Sequence, residues 1–173
     1  LGFFVQKLGM KAKQTSPKKA DSTAEQVFLK LRNYCVYQER SQLEVRLKCK
    51  ELGIKKEITE TLLVKLLDEN FLNEERFALH YAGGKFRIKK WGKVKIKQSL
   101  MQKGVSAYCI KKALGAIPNS EYQATLKKLL VQKSKLLHES NPLKKKAQLQ
   151  KFALSKGFEG YLVNELLGEE EDF

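Results

Sequence analysis

Residues 96–114 read IKQSLMQKGVSAYCIKKAL, and the same skeleton returns on either side of them. It appears as VRLKCKELGIKKEITETLL at 45–63 and as LQKFALSKGFEGYLVNELL at 149–167. Aligned on Gly53, Gly104 and Gly157, each copy has an apolar residue eight positions earlier: Val45, Ile96 and Leu149. Another follows the glycine directly (Ile54, Val105, Phe158), and a leucine stands ten positions later (Leu63, Leu114, Leu167). The copies are spaced by 51 and then 53 residues. A fixed period of this length marks tandem supersecondary units. Glycine is the residue that most often follows a helix C-terminus, so each copy reads as helix, glycine, helix.

Outward from these stretches there is room for one more helix per unit, giving helices near 24–37, 41–52 and 56–69 in the first. No alternating strand pattern is sustained, and the chain holds only 3 prolines. A unit of roughly 50 residues can bury only a small core, so neighbouring units must lean on one another. The sequence therefore predicts an all-α chain of about nine helices, in tandem three-helix repeats forming an elongated, curved array. The repeats fall at 24–72, 73–118 and 119–168. A basic flexible arm over 1–23 precedes them, and an acidic tail over 169–173 follows.

Local signals agree with this division. Ser41-Gln-Leu-Glu44 is a capping box, in which serine and glutamate satisfy the first free amides of a helix. Asn73-Glu-Glu75 is an acidic helix entry, and Asn141-Pro142 is a third start, with proline where a missing amide does no harm. Phe77, Tyr81, Gly84 and Ile88 are spaced to share one helix face. Gly83-Gly84 is expected to mark a bend or a close helix crossing.

The charge balance is unusual. Lys and Arg number 34 against 19 Asp and Glu, a formal net charge of +15 in 173 residues, which favours a polyanionic partner. Cys35, Cys49 and Cys109 are odd in number and far apart, so they suggest buried thiols in a reducing cytoplasm and no disulfide or zinc site. No apolar run approaches the ~20 residues that span a bilayer, and Leu1-Gly-Phe-Phe-Val5 is too short for a signal segment. Membrane partners are not expected.

Catalytic chemistry has no evident seat, and no cofactor or metal site is expected. The two histidines, His80 and His138, stand apart from any serine, cysteine or carboxylate pattern. Gly84-Lys85 resembles the end of a phosphate loop, but Leu79 replaces its first glycine and Phe86 its Ser or Thr. Asp68, Glu69, Glu74 and Glu75 are explained by capping and helix-dipole roles.

Candidate binding residues come instead from the run 85–103. Lys85, Arg87, Lys89, Lys90, Lys93, Lys95, Lys97 and Lys103 stand there without one acidic residue, interleaved with Phe86 and Trp91. Lysines and arginine neutralise phosphates, and an aromatic ring can stack on a base. The plainer reading is a solvated face, with Trp91 as a partial core anchor. The absence of compensating acids, which makes Lys93 and Lys97 repel at i, i+4, tilts the balance towards a partner. Lys144, Lys145 and Lys146 open the helix after Pro142, where cations oppose the helix dipole unless an anion relieves them.

Four segments together resemble the RecX family of bacterial recombination regulators. They are Arg40-Ser41-x-x-Glu44-Val45-x-x-Lys48; Asn70-Phe71-Leu72-Asn73-Glu74-x-x-Phe77-Ala78; Gly92-x-x-x-Ile96-x-x-x-Leu100-x-x-Lys103-Gly104-Val105; and Phe152-x-x-x-Lys156-Gly157-Phe158. Departures are Asn70 and Asn73, where that family usually has Gly and Asp, and Ser155, where a second basic residue is common. The resemblance implies tandem three-helix repeats and a non-enzymatic regulator; the sequence shows no heptad seam for dimerisation, so a monomer is expected. Its partners would be the RecA–single-stranded-DNA filament, whose ATPase and strand exchange it lowers, and single- and double-stranded DNA. The rival reading is a helix-turn-helix-like module acting directly on DNA, which would need a recognition helix and usually a dimer.

Overall fold

Gly53, Gly104 and Gly157 all adopt the left-handed backbone, at φ +71°, +73° and +89°. The residue after each donates its amide to a carbonyl five positions back: Ile54 to Cys49, Val105 to Leu100, Phe158 to Ala153. This is one and the same helix stop built three times, and L side chains resist its conformation. Val45, Ile96 and Leu149, eight residues before each stop, are all fully buried. The internal repeat is thus a repeat of geometry.

The structure, a computed structural model, describes residues 18–169. Among them are nine helices: α1 Lys18–Tyr37, α2 Gln42–Glu51, α3 Lys56–Asp68, α4 Glu74–Lys89, α5 Lys93–Gln102, α6 Ala107–Gly115, α7 Asn119–Lys135, α8 Pro142–Lys156 and α9 Gly160–Glu169. No strand occurs among the described residues. The fold is an all-α helical repeat array of three trios. Residues 1–17 of the expected arm and 170–173 of the expected tail lie outside the described residues. Helix α1 begins at Lys18, inside the span 1–23 expected as an arm: Lys18-Lys19-Ala20 are good helix formers, and no glycine or proline follows before Tyr37.

The entry signals act as their chemistry requires. Ser41 Oγ accepts from the Glu44 amide at 3.2 Å, and Glu44 Oε2 accepts from the Ser41 amide at 2.9 Å, closing the capping box of α2. Asn141 Oδ1 accepts from the amides of Leu143 and Lys144 ahead of α8. Asn73 caps α4 through the Arg76 amide at 2.9 Å, doing the work of the aspartate expected there. Asn70 sits at φ +58°, where glycine is expected and asparagine is the next best tolerated residue. Both departures from the family pattern therefore preserve the local physics.

One expectation for α4 is corrected. Its core face is Phe77, Ala78, Ala82 and Phe86, whereas Tyr81 and Gly84 are half-buried and Ile88 is 76% exposed. Small side chains at 78 and 82 let α6 approach closely, which rotates the buried stripe one residue away from the Phe77–Ile88 line. The helix runs unbroken through Gly83 and Gly84 from Glu74 to Lys89, and of the two readings for this pair the close crossing fits: Gly83 is buried and lines a crevice with Ala113 of α6. A Cβ at Gly83 would come within 2.8 Å of the Arg87 guanidinium, and one at Gly84 would meet nothing within 4 Å.

The apolar interior is in two parts. Phe28, Leu31, Cys35, Val45, Cys49, Leu62, Leu63, Leu66 and Leu72 form the core of α1–α3. A second, continuous core runs from Phe77 and Ile96 through Tyr122 to Leu149, Phe158 and Leu167, joining α4–α6 to α7–α9. At ~1.5–3 kcal/mol per buried large side chain, both are substantial. All three cysteines are free and buried. Burial pushes the Cys35 thiol up to about 11 and the Cys49 thiol up as well.

The last two trios are fused through their backbones. The Gly92 amide donates to Lys156 O at 2.9 Å, and the Val94 amide to Gly157 O at 3.0 Å. A Cβ at Gly92 would lie 2.1 Å from Gly157 O, so only glycine permits this contact. Beside it Tyr122 accepts from the Lys93 amide at 2.8 Å and donates to Glu159 Oε2 at 2.5 Å. Its ring lies between Phe86 and Phe158, at 5.7 and 5.1 Å between centroids. Desolvation, then the hydrogen bond to Glu159, hold its phenol above the usual range.

Candidate partner interface

The run 85–103 crosses the C-terminal half of α4, the turn at Trp91 and the whole of α5, so the fold scatters its cations by helical geometry. On α4, Tyr81 and Lys85 are i, i+4; on α5, Lys95, Ser99 and Lys103 follow the same interval. These two edges face each other across Trp91. Lys85 Nζ lies 5.0 Å from the Tyr81 ring centre and 5.1 Å from that of Trp91. Lys95 Nζ lies 4.9 Å from the Trp91 ring centre, and Lys103 Nζ 5.4 Å from that of Tyr81. Tyr81 Oη and Ser99 Oγ are 2.6 Å apart. The result is an alternating strip, Lys95–Trp91–Lys85–Tyr81–Lys103, of half-buried cations and rings.

Such a strip offers positive charge and π faces together. Cations packed on rings are held in place at a gain of ~0.5–1 kcal/mol each at exposed sites. Their remaining N–H donors stay available to an anion. Trp91 is half-buried and packs against the core of the last two trios. Lys95 also donates to Ser155 O at 3.2 Å. Lys103 is neutralised in part by Glu44 at 2.7 Å, which leaves Lys85 and Lys95 as the uncompensated cations of the strip.

The other candidates stand elsewhere. Lys89 and Lys90 are exposed at the end of α4, where cations suit the helix dipole. Lys93 turns to the opposite flank of α5, over the Tyr122 ring at 4.7 Å and onto Asn119 Oδ1 at 3.1 Å. Lys97 shares that flank and borders a groove between α5 and α6. Arg87 faces a crevice against Ala113, Ile117 and Glu121. Lys144, Lys145 and Lys146 open α8, ~16 Å along that helix from Ser155 at 1.5 Å per residue. The structure thus brings together Lys85, Trp91, Lys95 and Lys103, and separates them from the rest. Tyr81 belongs to the strip and was missed; its i, i+4 spacing to Lys85 was the available signal.

The acidic entry to α4 is fully occupied. Glu74 accepts from the Ser106 amide ahead of α6, Glu75 pairs with Lys112 at 2.6 Å, and Arg76 pairs with Glu39 at 2.5 Å. Among the described residues no group of three His, Cys, Asp or Glu is placed to hold a metal ion. No described helix is long and apolar enough to cross a membrane.

The fold is a helical-repeat scaffold that carries this cation and ring strip on one side. Residues 73–114 match the family model for the second three-helix domain of RecX. The chain is 31% identical over 130 residues to the regulatory protein RecX of Clostridium perfringens, covering 74% of this chain and 60% of that protein. It is 26% identical over 150 residues to that of Bacillus thuringiensis, covering 86% and 55%. Among solved structures it is similar to RecX from Lactobacillus salivarius, with TM-score 0.78 and 21% identity over 86% of this chain and 97% of that one. A crystal structure of another regulatory protein RecX gives TM-score 0.79 at 22% identity, covering 93% and 83%. In sequence and in fold the chain is similar to the RecX regulatory proteins. It spans between 55% and 62% of the length of the curated relatives it matches.

Proposed function

We propose that this protein binds the RecA–single-stranded-DNA filament and lowers its ATPase and strand-exchange activity, regulating recombination and DNA repair in the cytoplasm without chemistry of its own. The observation that carries this reading is the Lys95–Trp91–Lys85–Tyr81–Lys103 strip on a repeat array similar to that of the RecX proteins. Its rings and cations suit an anionic, base-bearing strand, and successive trios suit a partner that itself repeats. Contacts made in series gain through effective concentration, so modest ones sum to tight binding.

The test is ATP turnover by RecA on single-stranded DNA while this protein is titrated at fixed salt. Inhibition well below one molecule per RecA protomer is the expected outcome, with no turnover by this protein alone. Unchanged turnover at saturation, with full affinity for bare DNA, would favour the rival DNA-binding module. One observation weighs against that rival: the Glu74 carboxylate occupies the Ser106 amide at the start of α6, so a phosphate approaching that helix N-terminus meets like charge.

A further inference from the structure

The flank of α5 that faces away from Trp91 borders an open groove of about 680 Å3, closed on its other side by α6. Its floor is Val105, Ile110 and Leu114, with Met101 standing over it; Met101 is 58% exposed, although large and apolar. Lys97 and Lys111 stand at the two rims, exposed. Neither makes an ion pair among the described residues, in contrast to Lys112, which Glu75 holds. Lys97 and Met101 are one turn apart on α5, and Ala107, Lys111 and Leu114 repeat at helical spacing on α6. One ridge from α5 and one from α6 therefore flank an apolar trough, the form in which grooves receive an amphipathic helix.

We propose that this groove docks an acidic amphipathic helix of a partner protein. A bulky apolar side chain sits against Met101, Ile110 and Leu114, and flanking carboxylates meet Lys97 and Lys111. Nucleic acid fits less well, because the trough offers aliphatic carbon and no aromatic ring for a base. A second copy of this chain fits less well too, since a protein of net charge +15 repels itself. The groove lies across α5 from the strip at Trp91, so this proposal stands independently of the filament reading.

The test is fluorescence anisotropy with a labelled synthetic helix bearing leucines at i, i+3, i+4 and i+7 with glutamates between them, at ~0.15 M salt. The expected result is saturable binding, weakened at least tenfold by M101E and by the pair K97E/K111E. It should be lost when the peptide leucines become alanine, and unchanged in W91A, which separates this site from the strip. These variants alter exposed side chains, and M101Q serves as a milder second variant. The proposal is overturned if the alanine peptide binds equally well, if M101E and M101Q bind as the wild type does, or if no peptide binding is seen. It is also overturned if K97E/K111E loses single-stranded DNA instead, or if sedimentation shows a dimer that M101E dissolves.

Discussion

Trp91 shows how one side chain can answer two readings. A lone tryptophan beside lysines reads as a core anchor or as a stacking platform, and here it packs against the core while Lys85 and Lys95 lie 5.1 and 4.9 Å from its ring centre. Base stacking is worth ~1–3 kcal/mol per base, so W91A should weaken single-stranded DNA binding by about fivefold to a hundredfold. W91F should retain most of it, and a filter-binding titration distinguishes the two. Equal affinity in all three proteins would reduce Trp91 to an anchor. Titration of a buried group gives a second residue-scale test. Cys35 has its thiol raised to about 11 by desolvation from an ordinary value of 9.0. Between those values the unfolded chain has lost that proton while the folded protein keeps it, so unfolding is favoured as pH rises. The stability Cys35 contributes is complete below pH 9.0 and is lost as pH climbs towards about 11. Urea midpoints that fall across this window in the wild type, and fall less in C35A, are the expected outcome. The burial of this thiol was legible from its apolar neighbours, whereas Tyr81 was misplaced because spacing alone cannot say which side of a helix meets the core.

At the scale of elements, three glycines that align in sequence do different work in space. All three need the left-handed backbone, which costs an L residue ~1–2 kcal/mol. A Cβ at Gly53 would meet nothing within 4 Å, and at Gly104 only Leu43 at an ordinary 3.8 Å. At Gly157 it would fall 2.2 Å from the Cβ of Lys95. G53A should therefore cost ~1 kcal/mol by its backbone alone, while G157A adds an overpacking cost of ~1–3 kcal/mol. Chemical denaturation of the two variants should rank them in that order; equal losses would mean that the junction yields freely. The repeat period made the helix stops and trios readable, because glycine at a C-terminus is a local signal. The same period carried no trace of the Gly92–Gly157 contact, which depends on how two distant turns meet. It likewise concealed that α5 sends Lys95 to one flank and Lys97 to the other, dividing a run that reads as continuous. Tertiary approach, here of α6 onto Ala78 and Ala82, decides such rotations, and a single helix does not contain it.

On the scale of the whole molecule, the three trios are joined by unlike means. The second and third share one core, two backbone hydrogen bonds and the Tyr122 network. The first has a core of its own, and ion pairs tie it to the second: Glu39 with Arg76, and Glu44 with Lys103. The repeat made three like units legible but not this asymmetry, since Glu44 reads in sequence as half of a capping box and nothing local pairs it with Lys103. Partly exposed pairs contribute only ~0.2–1 kcal/mol each and are weakened by salt. Apolar burial responds far less to moderate salt and holds the other junction. Unfolding should accordingly occur in two steps, the first trio melting apart from a single unit formed by the other two. Calorimetry at ~0.05 and ~0.5 M sodium chloride should show the two transitions move further apart at the higher salt. E44Q should act in the same direction at low salt and have little further effect at high salt, where its pair is already screened. L63A should lower the first transition only, and L149A the second only. A single transition lowered equally by both substitutions would show instead that all nine helices fold as one cooperative body, with the ion pairs incidental to it.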